Sequence, residues 1–275
     1  MIRFEDFRDP ARLVLIAGPC VIESEEHVHR MADAISAVAA AHGFPYVFKA
    51  SYDKANRTSL KGYRGPGLTE GLRILGGLRK RGFSILTDVH ECCQVGPAAE
   101  VVDILQIPAF LCRQTDLLLE AGRAGRIVNV KKGQFVAPHD IHHAAEKVAS
   151  TGNAQVVLTE RGSSFGYNNL VVDMRGLKVM ADAGWPVVFD ATHSVQLPSG
   201  GGGASGGQPQ FIEPLASAAV AVGLAGIFVE VHDQPEKALS DGPNALRLSL
   251  LPGFLRKMRL IHEARLRAGS PAESD

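Results

Sequence analysis

Apolar residues occur along this chain in eight short runs, and each run leads into a polar or charged residue. The runs consist largely of valine, isoleucine and leucine, as expected for strands that are buried on both faces. Between them, apolar residues recur on one face of a predicted helix, as in the segment between Ser24 and Gly43. Strands that alternate with helices along a whole chain predict an α/β fold with a parallel sheet.

Eight strands favour a closed (β/α)8 barrel, the TIM barrel. The length of 275 residues is close to the roughly 250 residues typical of that fold. We predict a single TIM-barrel domain over residues 1–275, with a leader segment at 1–11 and a polar tail at 268–275. A doubly wound open sheet is the structural alternative. Its dinucleotide-binding form is disfavoured because no G-x-G-x-x-G sequence follows the first run.

The polar residues at the ends of the runs are the candidates for chemistry, because the carboxyl ends of barrel strands meet on the catalytic face. They are Cys20, Lys49, Asp88, Gln106, Lys131, Glu160, Arg161, Asp190, His193 and Glu230. Long polar loops at residues 51–66, 198–207 and 232–243 fall on the same face, and loops of this kind are usually functional. We interpret the glycine-rich one, 198–207, as a mobile lid.

Several of these candidates are cations. Lys49, Lys131 and Arg161 end three of the runs, and the loop after the second run adds further basic residues, namely Lys54, Arg57, Lys61 and Arg64. Each alone would be an ordinary solvated surface charge. Cations at the ends of buried strands need anionic partners, however, because an unpaired buried charge is costly. Together they indicate a substrate with phosphate or carboxylate groups.

A second set of candidates suits a divalent metal. A thiol, an imidazole and two carboxylates belong to neighbouring strands or the loop after the last one, and they are Cys20, His193, Glu230 and Asp241. Zinc, iron, manganese and cobalt all fit this mixed set. The alternatives are a buried apolar role for Cys20, a structural His193 and a Cys–His nucleophilic pair.

Other polar residues have supporting interpretations. Asp190 could orient His193, and either Asp88 or His90 could move a proton. Cys92 and Cys93 are interpreted as structural residues at a helix start.

The composition restricts location and partners. The formal net charge of zero argues against a nucleic-acid or membrane-surface binder. No apolar run is long enough for a transmembrane helix, and the first residues lack the apolar segment of a signal peptide. The four cysteines have no disulfide or zinc-finger spacing, so we expect a cytoplasmic protein.

From about Leu13 to Ala245, the sequence resembles the 3-deoxy-D-manno-octulosonate-8-phosphate synthase family. The matching stretches include IAGPCVIES, FKASYDKANRTS, TDVHE, QIPAFLCRQTDLL, NVKKGQF, TERGSSFGYNNLVVDMR, FDATHSVQLP, and FVEVH with ALSDGP. The resemblance implies condensation of phosphoenolpyruvate with arabinose 5-phosphate, with release of inorganic phosphate. The product of that family feeds the inner core of lipopolysaccharide.

The resemblance also implies roles for individual residues. The phosphoenolpyruvate positions are Lys49, Lys54, Gln106, Lys131 and Arg161. The sugar-phosphate positions are Asn56, Arg57 and Thr58, where the family usually has serine at the last; Ser51 is a further substrate-binding candidate. Phe110 and Arg113 match residues that reach a neighbouring subunit's site, so we expect a homotetramer.

The family has a metal-dependent and a metal-independent branch. Cys20 stands where the metal-independent branch has asparagine, so the resemblance implies a divalent metal held by Cys20, His193, Glu230 and Asp241. Lys54, Asp88 and His193 are the candidates for proton movement.

Three other functions compete with this interpretation. The sister 3-deoxy-D-arabino-heptulosonate-7-phosphate synthases use erythrose 4-phosphate, and their sugar loop typically reads KPRTS rather than the KANRTS found here. A zinc hydrolase on the same barrel would leave the aligned cations unexplained. A non-enzymatic phosphosugar-binding protein would not need Cys20 or His193.

Overall fold

A computed structural model describes residues 1–56, 59–198 and 206–269. In these residues, eight parallel strands follow one another in chain order around a closed sheet, and the last strand pairs with the first. The strands are β1 (Val14–Gly18), β2 (Tyr46–Lys49), β3 (Ile85–Asp88), β4 (Ile104–Ile107), β5 (Ile127–Lys131), β6 (Val156–Glu160), β7 (Val187–Asp190) and β8 (Gly226–His232). The predicted (β/α)8 barrel is confirmed.

A helix follows each barrel strand and packs on the outside of the sheet. These helices are α2 (Glu25–Ala41), α3 (Leu68–Lys80), α4 (Cys92–Val101), α5 (Thr115–Arg123), α6 (His142–Ala149), α7 (Arg175–Asp182), α8 (Ile212–Val222) and α9 (Leu251–Ala268), while α1 (Phe4–Arg8) precedes β1. Helix α2 begins where the sequence predicts, since the Ser24 hydroxyl accepts the N–H of His27 at 3.1 Å. It ends at Ala41, and Gly43, two residues later, has a positive φ of 71°.

The apolar residues form two layers. The inner layer fills the barrel and consists of Val14, Ile16, Val47, Leu86, Ile104, Ile127, Val157, Val188 and Phe228. Phe7 of α1 is buried against this layer. The segment predicted as a leader therefore closes the amino-terminal end of the barrel and leaves the opposite end for the polar residues.

Some apolar helix residues and cysteines are not fully buried. Val222 is 39% exposed because it is the last residue of α8, and Ile261 of α9 is only partly buried. Cys92 and Cys93 do begin a helix, α4, but both are exposed, so a structural role in the core is excluded.

The loops beyond the strand ends contain short paired segments. Ser163–Ser164 pairs with Leu170–Val171, and Gln196–Leu197 pairs with Gly206–Gly207. The glycine-rich residues 199–205, interpreted above as part of a lid, and most of the predicted tail, 270–275, lie outside the described residues. Across the part of the chain that is described, no helix is both long and apolar enough to cross a membrane.

Gly18 is required where β1 meets β2. A Cβ atom at this position would lie 2.0 Å from the carbonyl oxygen of Lys49. We predict that Gly18→Ala lowers the free energy of unfolding by at least about 3 kcal/mol, because backbone on both sides must shift. Gly253→Ala in α9 is the control, since its Cβ would meet nothing within 4 Å. Urea unfolding midpoints would check this, and equal midpoints for the two variants would contradict it.

Candidate active site

The barrel brings the predicted strand-end residues together at its carboxyl-terminal mouth. Lys49, Lys131 and Arg161 are buried there as cations, beside the buried carboxylates of Asp190 and Glu230. Parallel strands with adjacent registers place these side chains at similar height, since Gly18 pairs with Glu230 and Lys131 with Thr159. The scattered positions of the sequence therefore form one site.

All four predicted metal ligands converge. The Cys20 sulfur lies 3.3 Å from Asp241 Oδ2, and ligand atoms of Cys20, Glu230 and Asp241 all lie within 4.8 Å of one another. His193 Nε2 is 3.5 Å from Glu230 Oε1 and 4.0 Å from Asp241 Oδ2. Cys20, Glu230 and Asp241 thus form one cluster of possible ligands, and the imidazole of His193 faces its two carboxylates.

The chemistry of these donors fits a divalent cation. Burial, and then the charge of Glu230, raises the pKa of the Cys20 thiol well above its usual range. Burial would also raise the pKa of Glu230, but the charges of His193 and Lys49 lower it below its usual range. The Oε2 atom of Glu230 is buried without a hydrogen-bond partner. A metal ion would supply the positive charge that favours a thiolate.

Asp190 orients His193. Its Oδ2 atom lies 2.7 Å from His193 Nδ1 and accepts a hydrogen bond from Lys131 Nζ at 2.5 Å. The backbone N–H of His193 donates to Oδ1 at 2.9 Å. Burial would raise the pKa of Asp190, but the charges of His193 and Lys131 lower it. The predicted contact is present, and it directs His193 Nε2 towards Glu230.

Lys49 and Lys131 both approach the Phe228 ring, and Lys49 Nζ lies 5.6 Å from its centre. Lys49 Nζ donates to Glu230 Oε1 and to the Cys20 carbonyl oxygen, both at 2.9 Å. Lys131 Nζ lies 3.8 Å from the centre of the Phe228 ring. Burial lowers the pKa of Lys131 and the charge of Asp190 opposes this. Both amines are fixed by protein contacts at the floor of the mouth.

One buried guanidinium nitrogen of Arg161 has no hydrogen-bond partner. Its Nη2 atom donates to Gln196 Oε1 at 2.9 Å, whereas Nη1 is buried without a hydrogen-bond partner. The residue is only 4% exposed, and burial lowers its pKa. An unsatisfied buried guanidinium nitrogen needs an acceptor. Arg161 is therefore suited to hold an anion within the mouth.

Asp88 lies between a hydroxyl and an imidazole. The Ser51 hydroxyl donates to Asp88 Oδ1 at 2.5 Å, and His90 Nε2 lies 3.2 Å from Oδ2. Burial would raise the pKa of Asp88, but the hydrogen bond from His90 and the charge of Lys54 lower it. Burial would lower the pKa of His90, and Asp88 raises it above 6.5. Asp88 is thus held ionised.

The remaining predicted residues occupy different surroundings. Gln106 is buried and accepts a hydrogen bond from Asn129 Nδ2 at 3.1 Å, and Lys54 is half-buried. Asn56, Phe110 and Arg113 are exposed, with Phe110 56% accessible. Arg57 and Thr58 lie outside the described residues. The sugar-phosphate and subunit roles of these last five residues stay predictions.

Two residues of the mouth do not end a predicted strand and were missed. Ser240 is buried with its hydroxyl 2.8 Å from the Cys20 sulfur, and its position immediately before Asp241 was the available signal. Lys132, the second lysine of NVKKG, is fully buried and donates to the Val136 carbonyl at 3.0 Å and to Ser163 Oγ at 3.1 Å. It holds the loop after β5 beneath the mouth.

The fold and the site define a barrel protein that gathers buried cations, carboxylates and a thiol at one mouth. The chain belongs to the DAHP synthetase I family, whose sequence pattern matches residues 8–266. Curated relatives from Pelobacter propionicus and Geobacter metallireducens are 60% and 59% identical over 90% of this chain and 92% of theirs. One from Koribacter versatilis is 61% identical over 92% of each chain. All three are named 2-dehydro-3-deoxyphosphooctonate aldolase, which confirms the predicted resemblance.

The Asp88–His90 contact predicts a pH-dependent contribution to stability. Because the pKa of His90 in the folded protein lies above the unfolded value of 6.5, the contribution is complete below about 6.5 and is lost as the pH rises through the folded value. His90→Gln should therefore destabilise the protein more at about pH 6 than at about pH 9, by on the order of 1 kcal/mol.

Denaturant unfolding at both pH values measures this difference. His29→Gln is the matched control, because the His29 ring faces the guanidinium of Arg81 at 3.2 Å. A loss of stability at His90→Gln that stays constant across the pH range would contradict the prediction.

Proposed function

We propose that this protein condenses phosphoenolpyruvate with D-arabinose 5-phosphate and water. The products are 3-deoxy-D-manno-octulosonate 8-phosphate and inorganic phosphate, a step towards the inner core of lipopolysaccharide. The shared name of relatives about 60% identical over nearly the whole chain supports this assignment. The observation that carries it is the buried Nη1 atom of Arg161, which has no hydrogen-bond partner and lies at the same mouth as two further buried cations.

Phosphoenolpyruvate would occupy the cationic side of the mouth. Its phosphate and carboxylate supply the anionic oxygens that Arg161 Nη1 lacks. Lys49 and Lys131 are anchored by Glu230 and Asp190 and present fixed positive charge to the same region. Lys54 and Gln106 complete the proposed set of phosphoenolpyruvate contacts. Because this charge is organised before the substrate arrives, little reorganisation is needed during the reaction.

The reaction requires three proton movements. The vinyl carbon of phosphoenolpyruvate attacks the aldehyde carbon, and the aldehyde oxygen takes up a proton. Water adds to the former enol carbon and loses a proton, which leaves a hydroxyl group on that carbon. As the carbon–oxygen bond to phosphate breaks, this hydroxyl becomes the ketone and its proton passes to the departing phosphate. We assign these transfers to Lys54, Asp88 and His193, which line the mouth together. Asp190 positions His193 for its part, and Ser51 and His90 position Asp88.

We also propose a divalent metal as the cofactor, zinc, iron, manganese or cobalt, held by Cys20, His193, Glu230 and Asp241. When bound, it would supply a Lewis acid for the aldehyde or the attacking water. The support is the convergence of the four donors and the unpartnered Oε2 of Glu230.

The proposed assembly is a homotetramer in the cytoplasm. The exposed Phe110 and Arg113 follow β4, next to the mouth, and suit contact with a neighbouring subunit's sugar site. All four cysteines are free thiols in the structure, which suits a reducing compartment. The other proposed partners are the two small-molecule substrates, without a nucleic acid or a membrane.

The proposed substrate specificity can be tested by phosphate release. Phosphate release from phosphoenolpyruvate should require arabinose 5-phosphate, and erythrose 4-phosphate should support it at least about 100-fold less well, because one missing set of sugar hydroxyl contacts costs several kcal/mol. A continuous phosphate assay with each sugar at matched concentration measures this. Faster release with erythrose 4-phosphate would move the protein to the sister activity, and no release with either sugar would overturn both assignments.

The proposed role of Cys20 as a metal ligand can be tested with cobalt. Cobalt(II) bound by Cys20 should give a near-ultraviolet thiolate absorption band, and Cys20→Ala should abolish the band and most of the turnover. Cys112→Ala is the matched control, because this cysteine is also fully buried but lies in the apolar core. The measurement uses a chain in which the exposed Cys92 and Cys93 are serine. A full band in the Cys20→Ala variant would contradict the assignment.

A further inference from the structure

A second cluster of metal-binding side chains lies beside the mouth and shares no residue with the first. It consists of Glu23, which precedes α2, His27 in the first turn of α2, and His232, the last residue of β8. A ligand atom from each lies within 4.8 Å of the others. The two histidines are 7% and 5% exposed. Neither the proposed reaction nor the proposed active-site metal uses these residues.

The carboxylate of Asp233 lies close to one ring nitrogen of each histidine. Asp233 Oδ1 lies 3.1 Å from His27 Nε2 and 3.1 Å from His232 Nδ1. The other oxygen, Oδ2, accepts a hydrogen bond from Arg30 at 2.9 Å, which fixes the carboxylate. A histidine that binds a metal through one nitrogen usually gives the other N–H to a carboxylate. Asp233 is arranged to do this for His27, whereas Nδ1 of His232 accepts the backbone N–H of Gln234 at 2.9 Å.

The second ring nitrogen of each histidine has no hydrogen-bond partner. His27 Nδ1 and His232 Nε2 are buried without a hydrogen bond, and the two ring centres are 4.6 Å apart. Glu23 Oε1 lies 3.3 Å from His232 Nε2, close enough for a shared ligand but without hydrogen-bond geometry. Two buried, unsatisfied nitrogen atoms beside a carboxylate are costly unless something binds them.

We propose that Glu23, His27 and His232 bind a second divalent transition metal, with zinc as the best match. Two imidazoles and one carboxylate are a recognised zinc ligand set, and three protein ligands leave the fourth position to solvent. Harder cations such as magnesium prefer oxygen ligands and are disfavoured by the two nitrogens. This inference does not depend on the proposed reaction, because its ligands are separate from Cys20 and its neighbours.

Metal at this site would also stabilise the loop that carries Asp241. Glu23 Oε1 accepts the backbone N–H of Leu239 at 2.8 Å. Leu239 directly precedes Ser240, whose hydroxyl lies 2.8 Å from the Cys20 sulfur. Fixing the Glu23 carboxylate therefore fixes the start of the segment that brings Ser240 and Asp241 to the mouth.

Zinc bound per chain is the test. Tag-free protein with Cys20→Ala, Cys92→Ser and Cys93→Ser is dialysed to equilibrium against buffered Zn²⁺, and the bound metal is counted by atomic emission. Adding His27→Leu should lower the count by one ion per chain, and Glu23→Gln should weaken binding at least about 10-fold, in the range seen when a metal-site partner is removed.

Another group of histidine and glutamate side chains, outside both proposed metal sites, supplies the matched control. His142, His143 and Glu146 also lie close enough to share an ion, but His143 and Glu146 are exposed. His143→Gln in the same background should leave the count unchanged. An unchanged count in His27→Leu, or a loss that occurs with His143→Gln instead, would overturn the proposal. Circular-dichroism melting shows whether His27→Leu is misfolded. If it is, the zinc affinity of Glu23→Gln decides whether the second site exists.

The zinc count does not depend on enzymatic turnover, since the protein used for it already lacks the Cys20 thiol. If the chain binds zinc through His27 but fails to release phosphate with either sugar, the second site stands and the proposed reaction falls. If phosphate release is normal in the wild-type protein and His27→Leu costs no zinc, the reaction stands and the second site falls.

Discussion

The two lysines buried at the carboxyl ends of β2 and β5 each contact a buried carboxylate, because an unpaired buried charge is costly, and this pairing organises the mouth. Lys131 contacts Asp190, Asp190 holds His193, His193 faces Glu230, and Glu230 accepts from Lys49. Groups of opposite charge meet at both ends of this series, where Lys131 contacts Asp190 and Lys49 contacts Glu230, so removing either partner leaves the other without compensation. The site is therefore a network whose members have to be considered together.

The barrel makes the network possible because it brings residues distant in sequence to the same height. Strands β7, β8 and β1 are adjacent, and they supply His193, Glu230 and Cys20 within one small volume. The same closure demands close backbone contact, which is why Gly18 has no room for a side chain beside Lys49. Phe7 closes the other end of the barrel, so polar chemistry is confined to one mouth.

The strand ends could be predicted because their signal is local: a buried apolar run followed by a polar residue. The helices could be predicted from the periodic spacing of their apolar residues. Once eight strands are counted, barrel closure also predicts that Cys20 and Glu230 lie near each other. The contact of Ser240 with Cys20 could not be predicted, because it depends on the path of a loop. The pairing of His27 with His232 joins a helix start to a strand end 205 positions later, and no periodicity in the sequence encodes it.

The loop after β8 carries Asp241 and is held in place by contacts from the segment after β1. Asp241 has a positive φ of 48°, a conformation that costs a non-glycine residue about 1 kcal/mol or more and persists only when neighbouring contacts enforce it. Those contacts come from the segment after β1, since Glu23 binds the backbone of Leu239 and Cys20 lies against Ser240. One short stretch, from Cys20 to Glu23, thus both carries a proposed metal ligand and holds the loop that carries Asp241, another proposed ligand. Because Cys20 and Glu23 share this short backbone segment, a change in the turn between them is expected to alter the position of Asp241 even when all four proposed ligands are retained.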